Sequence, residues 1–275
     1  MRKTEYLLDD AALAAAAERY RAYPVAPLDY GTVRDYCDSF DHLRPLATLN
    51  GDLKDLQRPW MLKAILSRVG ARDGARRGAR RGARGGRLLE IGAGEPFVAD
   101  LLQRLGHEVW IVDPYDGSGN GPLELDRFRG ECPDLRFVRE QFSAATRKLK
   151  PASFDCIYSI SVLEHVPAAG LTGVMAGLRR FLRPGGVTIH AVDHVHRGRG
   201  AAEHLANLRL MMAGLGHSAE DLDGTLAALS ADIDTYYLSA ESHNRWRNGV
   251  PYDEFPMRVC VSIQSCSAAR SIGAP

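Results

Sequence analysis

The spacing of apolar positions changes along the chain and outlines its elements. Apolar residues at helical spacing predict helices over 8–20 and 53–69, and a turn-rich link through Pro24, Pro27 and Gly31 joins them. We expect this N-terminal part to form a helical extension or lid.

From residue 88 onward, short apolar runs alternate with segments of helical period. We predict strands at 88–91, 108–113, 135–138, 154–160 and 187–193. We predict helices at 97–105, 143–149 and 169–182, and then a helical segment over 200–229. Such alternation indicates a parallel sheet, because right-handed crossovers place a helix between successive strands. The sequence therefore predicts a doubly wound, Rossmann-like α/β fold.

Two more apolar-rich runs, at 232–239 and 257–264, close the pattern. We interpret them as an antiparallel final hairpin, which would complete a seven-stranded, mostly parallel sheet. The connection 239–256 is then an insertion above the ends of the strands.

A near-perfect Gly-Ala-Arg-Arg repeat fills residues 71–87 and carries seven arginines and one aspartate. The whole chain has a formal net charge of +1, but outside the repeat it has 28 basic and 33 acidic side chains. An RNA-binding Arg-Gly segment is one interpretation of the repeat, but it lacks interleaved aromatic residues. We therefore read it as a flexible linker between an extension (1–70) and a domain (88–275), and expect no nucleic-acid partner.

The composition sets the class of protein. Of the 275 residues, 45% are apolar, enough for a large core. The chain has no run of 18 apolar residues and no signal-peptide pattern, so we expect a cytoplasmic protein without membrane association. Its five cysteines are odd in number and lack Cys-x-x-Cys spacing, which favours reduced thiols over a disulfide or zinc framework.

The segment Arg87–Leu102 carries the strongest functional signal. A buried strand runs through Glu90, and a turn with Gly92 and Gly94 leads into a helix, so that backbone and helix N-terminus can approach a nucleotide-like ligand. Asp113 ends the next strand, nineteen residues after Gly94, which is the spacing that brings a carboxylate to a ribose. We therefore predict an adenosine-bearing ligand.

Two residues argue against a nicotinamide dinucleotide. Phe97 stands where that fingerprint needs a third glycine, and Glu90 would repel a pyrophosphate. An acidic residue followed by x-Gly-x-Gly resembles the first motif of the class I S-adenosylmethionine-dependent methyltransferases, with Pro96 in place of the third glycine. Further landmarks of that family follow in order at Phe154–Val166 and Phe181–Val192. The resemblance covers roughly the central 40% of the chain.

The resemblance implies S-adenosyl-L-methionine as the cofactor and assigns residues to it. Gly92, Ala93 and Gly94 would line the methionine and ribose. Glu90 would reach the amino group, and Asp113 would accept hydrogen bonds from both ribose hydroxyls.

Three further cofactor contacts follow from the same resemblance. Gln141 falls at the adenine position after the third strand, where its amide could bind the adenine amino group and a ring nitrogen. Phe142 could stack on the base; the alternative is an exposed Gln141 and a core Phe142. Ser161, at the end of the fourth strand, should lie near the methionine moiety.

Methyl transfer from a sulfonium needs alignment and exclusion of water, and a base only where the acceptor must lose a proton. On a strand, His190, His194 and His196 would share one face. His194 is our candidate base, since histidine titrates near neutral pH. Metal ligation by this cluster and a structural role are the alternatives, and we predict no metal site. His165 is expected to be structural or ligand-adjacent, and His243 could face the acceptor.

The flanks should determine the substrate. Arg58 and Trp60 could close over the cofactor or acceptor, or Trp60 could simply pack into the core. Tyr236, Tyr237 and Trp246 could wall an aromatic acceptor pocket or be ordinary lid packing.

No Asn/Asp-Pro-Pro-Tyr signature follows the fourth strand, where the chain reads Ser159–Val162, and a small-molecule acceptor is therefore favoured. We predict a small-molecule methyltransferase, with secondary metabolism as a candidate setting and a homodimer as a candidate assembly. Two alternatives stay open. In one, the methionine side-chain carbon beside sulfur is attacked, so that the side chain cyclises or its aminocarboxypropyl group is transferred, and methylthioadenosine is released. In the other, the chain is a catalytically silent cofactor-binding subunit.

Overall fold

The computed structural model describes residue 4 and residues 8–48, 52–74, 85–118, 121–238 and 249–266. The helices in these ranges are α1 Asp10–Arg19, α2 Val33–His42, α3 Lys54–Gly74, α4 Phe97–Arg104, α5 Leu125–Glu131, α6 Ala168–Phe181, α7 Ala201–Leu215 and α8 Ala219–Ala231. The strands are β1 Leu28–Tyr30, β2 Arg87–Ile91, β3 Glu108–Val112, β4 Arg136–Val138, β5 Phe154–Ile160, β6 Leu182–Arg197 and β7 Met257–Cys266.

The seven strands form one sheet in the order β1-β7-β6-β5-β2-β3-β4. The strands from β6 to β4 pair in parallel, and β7 runs antiparallel to both of its neighbours. This confirms the Rossmann-like, mostly parallel sheet with an antiparallel closing strand. The chain order reverses beside β2, and ligands of open α/β sheets bind at such a switch point, outside the carboxyl ends of the strands.

One edge of the sheet differs from the prediction. Residues 232–238, the described part of the run 232–239, form no strand and make only two isolated bridges. Asp232 accepts the N–H of Thr235 at 3.2 Å and so turns the chain after α8. The edge position belongs to β1 instead, with Leu28 opposite Ile263 on β7. The first arm of the predicted hairpin is therefore wrong, because a strand from the N-terminal part pairs there.

Two apolar cores lie on the two faces of the sheet. Successive residues of β2 point to opposite faces, so Leu88 belongs to the core under α3 and α4, and Leu89 to the core under α6 and α7. Helix α3 contributes Leu62 and Ile65, both fully buried, to the first core. The expected extension thus shares a core with the sheet, while its action as a lid stays a prediction.

The predicted helix 143–149 is wrong: these residues form turns. Ala144 donates its backbone N–H to Gly173 at 3.2 Å, and its carbonyl accepts from Arg180 at 3.0 Å. Backbone groups that bond to a neighbouring helix cannot close helical turns of their own.

Other differences are small. Helix α5 occupies part of the expected loop before β4, because Leu125 and Phe128 are buried three residues apart. Strand β6 is longer than predicted, since β7 pairs along it as far as Arg197. All five cysteines are outside disulfides. No helix in the described ranges is both long and apolar enough to cross a membrane. Most of the arginine repeat lies outside the described residues.

Candidate active site

The glycine turn after β2 is the centre of the site. Gly92 and Gly94 have φ angles of 64° and 56°, a left-handed conformation that favours glycine. The N–H of Gly92 donates to the carbonyl of Val112 at 2.8 Å, and a Cβ at Gly92 would come within 2.8 Å of the Val162 side chain. The turn is therefore held closely between the ends of β3 and β5.

Asp113 lies beside this turn, as the spacing predicted. Its Oδ2 accepts the N–H of Gly94 at 3.1 Å, and its Oδ1 accepts the N–H of Tyr115 at 2.7 Å. These two bonds fix the direction of the carboxylate, and each oxygen keeps a lone pair for another donor. The structure thus brings the second acidic residue of the motif to the glycine turn.

Glu90 is buried directly before the turn, and its Oε2 accepts the hydroxyl hydrogen of Tyr158 at 3.0 Å. Burial raises the pKa of Glu90 to about 8; the charge of Asp113 raises it too, whereas the Tyr158 bond and the charge of Arg58 lower it. This carboxyl therefore holds its proton near neutral pH. The sequence analysis missed Tyr158, although parallel pairing places it opposite Glu90 on β5.

Helix α3 places a guanidinium group near the glycine turn. The guanidinium of Arg58 lies 4.7 Å from the centre of the Phe97 ring at the start of α4, and 3.9 Å from Glu95 Oε2. Burial lowers the pKa of Arg58, and the charges of Glu95 and Glu90 oppose that shift. Trp60 is 8% exposed and packs in the core, in line with the simpler of its two interpretations.

The two residues predicted to contact adenine lie in different surroundings. Gln141 is exposed. Phe142 is buried, with its ring 6.0 Å from that of Phe181 and in contact with Gly177 of α6. The stacking of Phe142 on a base is therefore wrong, because its ring fills the core between α6 and the sheet. A contact from Gln141 to adenine stays a prediction.

Ser161 follows the last residue of β5 and has a φ of 54°, which is uncommon outside glycine. Its N–H donates to the carbonyl of Ala191 on β6 at 2.8 Å. The residue thus turns the chain at the carboxyl end of β5, beside β6. Its contact with a methionine moiety stays a prediction.

The histidines of β6 are largely buried. His190 Nδ1 lies 2.8 Å from Ser159 Oγ, and burial lowers the pKa of His190 to about 3, which fits a structural role. Burial, and then the charges of His196 and His204, lower the pKa of His194 to about 4. His194 is therefore neutral at physiological pH, and its role as a base stays a prediction.

A buried polar cluster, missed by the sequence analysis, links α3 to the ends of β5 and β6. Glu164 Oε1 accepts the backbone N–H of Asp193 at 2.8 Å. Asp193 Oδ1 in turn accepts from Gln57 Nε2 at 2.7 Å, and its Oδ2 lies 3.6 Å from Arg258. These residues come from α3, β6, β7 and the turn after β5, which meet only in the folded chain, so no local pattern could reveal them.

The remaining candidates lie farther along the chain. Tyr236 packs 5.3 Å from Tyr36 between ring centres, and Tyr237 packs 6.4 Å from His196. His243 and Trp246 lie outside the described residues. Within the described ranges, the His, Cys, Asp and Glu side chains form no group of three or more that could hold a metal ion.

Comparisons with known proteins find similarity to methyltransferases. A family model described as a methyltransferase domain matches residues 62–231, more than half of the chain. The ubiquinone biosynthesis O-methyltransferase of Nitrosococcus oceani is 33% identical over 103 residues, which cover 37% of this chain and 41% of that protein. The protein of the same name from Dinoroseobacter shibae is 27% identical over 157 residues, which cover 56% and 57%. The chain thus spans less than two thirds of the length of these relatives.

Solved structures give more distant matches. The 1,6-didemethyltoxoflavin-N1-methyltransferase of Burkholderia thailandensis is 18% identical, with a TM-score of 0.43, and the match covers 85% of this chain and 87% of that one. The phosphoethanolamine N-methyltransferase 2 of Haemonchus contortus is 16% identical, with a TM-score of 0.43, over 85% and 60%.

Proposed function

This chain belongs to the class I S-adenosylmethionine-dependent methyltransferases, and on that premise we propose that it transfers a methyl group to a hydroxyl group of a small molecule. Its cofactor is S-adenosyl-L-methionine. The hydroxyl acceptor is supported by the names of the relatives, which are O-methyltransferases. Secondary metabolism as the setting, a homodimer as the assembly, and the absence of a nucleic-acid partner stay predictions.

The residues around the glycine turn fit the charges of this cofactor. Glu90 is a buried carboxyl that gains from a cation beside it, and the methionine ammonium is such a cation. Asp113 keeps lone pairs for two ribose hydroxyls. Arg58 lies across the turn, near the charge of Glu90, and we assign it to the methionine carboxylate. The observation that carries the proposal is the fixing of Asp113 on Gly94, because it orients a carboxylate at the switch point of the sheet.

The methyl transfer itself needs few further protein groups. The bound sulfonium supplies an already activated methyl carbon. The protein orients the two reactants in line and excludes water, which accounts for most of the rate enhancement in such a transfer. Where the acceptor hydroxyl must lose its proton, His194 is available as a neutral base at the end of β6.

Asp113→Ala tests the cofactor assignment. The change removes a charge-assisted pair of hydrogen bonds worth about 1.5–3 kcal/mol together, so calorimetry should show a loss of affinity for S-adenosylmethionine of about 10- to 150-fold. Asp116→Ala is the matched control, because Asp116 is an exposed carboxylate three residues away whose Oδ1 accepts from Ser118 at 3.0 Å. Equal affinities of the two variants would contradict the ribose assignment.

Product analysis tests the reaction. Mass spectrometry after incubation with S-adenosylmethionine and a panel of phenols, alcohols and amines should detect S-adenosylhomocysteine together with a methyl ether. Methylthioadenosine would instead indicate attack on the methionine side-chain carbon. Cofactor binding without either product, across the panel, would indicate a silent cofactor-binding subunit.

A further inference from the structure

Tyr115 has a backbone conformation that large side chains rarely adopt. Its φ angle is 45°, in the left-handed region, and its side chain is 1% exposed within the core. A bulky residue with a positive φ is strained, and such strain persists only where the surrounding structure holds the residue in place. Strained residues concentrate at functional sites, and this one lies three residues beyond the carboxyl end of β3.

Tyr115 is held from several sides, and two of its hydrogen bonds reach the cofactor site. Its backbone N–H donates to Asp113 Oδ1 at 2.7 Å, and its hydroxyl donates to the carbonyl of Gly94 at 3.3 Å. Its own carbonyl accepts from Arg139 at 3.4 Å. Its ring lies 5.8 Å from the Phe128 ring between centres. The strained conformation is therefore stabilised by backbone, hydroxyl and ring together.

The hydrogen bonds join Tyr115, Asp113 and Gly94 into one closed unit. Gly94 donates its N–H to the other carboxylate oxygen of Asp113 at 3.1 Å, while its carbonyl accepts the Tyr115 hydroxyl. Burial raises the pKa of the Tyr115 hydroxyl and the charge of Asp113 raises it further, so this group keeps its proton and remains a donor. The direction of the carboxylate and the position of the glycine turn are thus fixed together.

This unit borders the part of the sheet where a ligand can bind. Residues 92–95 of the glycine turn are only half-buried, and they follow β2 at the switch point of the sheet. Hydrogen bonds to a carboxylate are directional, so an acceptor already held in one orientation avoids the cost of ordering it on binding. A residue that fixes Asp113 therefore contributes to the affinity for a ribose without contacting it.

We propose that Tyr115 is a positioning residue for the cofactor, which holds the Asp113 carboxylate and the Gly94 peptide in the orientation that accepts the two ribose hydroxyls. This inference rests on the S-adenosylmethionine site proposed above. Arg139, directly after β4, supports the same arrangement, since it also donates to the carbonyl of Pro114 at 3.2 Å. The strain at Tyr115 is thus offset by hydrogen bonds that pre-organise the ribose site.

Calorimetry on the full chain tests this role, with S-adenosylhomocysteine and its 2′,3′-dideoxy analogue as the two ligands. The analogue lacks both ribose hydroxyls, so only S-adenosylhomocysteine can use the Asp113 carboxylate. Tyr115→Phe keeps the ring and removes the hydroxyl. It should weaken binding of S-adenosylhomocysteine about three- to tenfold and leave the affinity for the analogue unchanged. In an Asp113→Ala background, Tyr115→Phe should have no further effect, because its action on the ribose passes through that carboxylate.

Tyr30→Phe is the matched control, because the Tyr30 hydroxyl also donates to a protein acceptor, Asp232 Oδ2 at 2.9 Å, but lies on the edge strand β1. It should keep the wild-type preference for S-adenosylhomocysteine over the analogue. If wild type fails to bind S-adenosylhomocysteine, the proposed function itself is wrong. If it binds and prefers S-adenosylhomocysteine, but Tyr115→Phe keeps that preference or weakens both ligands equally, only this inference is overturned.

Discussion

Glu90 shows how the surroundings of a single residue set its chemistry. Its position before the glycine turn follows from the sequence, but its protonation state follows from burial, which raises its pKa to about 8. In the cofactor-free protein the carboxyl therefore keeps its proton at pH 7. The ammonium group of the cofactor favours the carboxylate, so we expect binding to release this proton.

The pH dependence of cofactor binding tests this. Because binding favours deprotonated Glu90, the affinity for S-adenosylmethionine should rise with pH from 6 to about 8, by at most about tenfold per pH unit, and then level off. Glu90→Gln cannot titrate and should lack this rise. The cofactor's own amino group has an ordinary pKa of about 7.7–8.0. Its titration affects the affinity of both proteins, so its effect cancels when the two affinity curves are compared. Parallel affinity curves for the two proteins would contradict the assignment of Glu90.

The lowered pKa of His194 changes the pH dependence of turnover that we expect if this residue is the base. With an unperturbed pKa of about 6.5, a base at this position would lose activity below neutral pH, but burial lowers the pKa to about 4. If His194 is the base, turnover should therefore stay level down to about pH 5 and fall only as the pH drops through about 4. His194→Ala should lower turnover by roughly 10²–10⁴ without affecting cofactor affinity.

His196→Ala is the control for that variant, since its ring lies 6.3 Å from His194 and is less buried. It should keep nearly full turnover. A His194→Ala enzyme as fast as wild type would remove the base from the mechanism and leave catalysis to alignment.

A sequence pattern predicts the role of a site residue only where the residues that contact it are also near in sequence. Asp113 reaches Gly94 because both flank adjacent strand ends nineteen residues apart, which the spacing already contained. Phe142 is different, since the face it takes depends on α6, which begins 26 residues later. Gln57, Glu164 and Asp193 meet only after three distant segments have folded, so their cluster could not be predicted.

At the scale of elements, buried strands were predictable and edge strands were not. Strand β5 is buried along its whole length, and its sequence is apolar except at Asp155 and Ser159. Strand β1 has only three residues, Leu-Asp-Tyr, and its alignment with β7 is a long-range pairing. A three-residue segment has too few positions to show a period, and the run 232–239 offered a stronger pattern in the wrong place.

The close approach of α6 to the turn after β4 leads to a stability prediction. A Cβ at Gly177 would come within 2.9 Å of the Phe142 ring and 3.0 Å of the Ser143 carbonyl carbon. Gly224, in α8, has open space at that point and provides the control. Both changes to alanine gain the same helix propensity, so overpacking should leave Gly177→Ala less stable than Gly224→Ala by about 1–3 kcal/mol. Denaturant unfolding measures the difference, and equal midpoints and slopes would show that the contact is not tight.

At the scale of the whole molecule, the N-terminal part is joined to the sheet rather than appended to it. Lys63 of α3 is 1% exposed and lies within 2.5 Å of Asp38 on α2, with its ammonium 5.0 Å from the Tyr20 ring and 5.4 Å from the Tyr23 ring. One buried charge thus ties together three segments of the extension. Strand β1 at the sheet edge also belongs to the extension. The extension therefore shares a core with the sheet, although the composition of the repeat suggested a separate unit.

The function of the arginine repeat, most of which lies outside the described residues, follows from neither the core nor the site. It connects α3, which ends at Gly74, to β2, which begins at Arg87. We expect that replacing residues 75–84 by a Gly/Ser segment of equal length leaves the melting temperature, cofactor affinity and turnover nearly unchanged. Deleting Arg72–Arg84, which also removes the last turn of α3, should likewise cost little, because the entropy of loop closure varies slowly with length.

The replacement and the deletion separate charge from length. The Gly/Ser segment removes the five arginines of residues 75–84 but keeps the span, whereas the deletion shortens the span as well. If activity falls with the Gly/Ser segment while the melting temperature and the affinity for S-adenosylmethionine hold, the arginines contact the acceptor or a partner, and the linker interpretation is wrong. If only the deletion lowers the melting temperature, the span is required to bring α3 onto the sheet, and the charges are not.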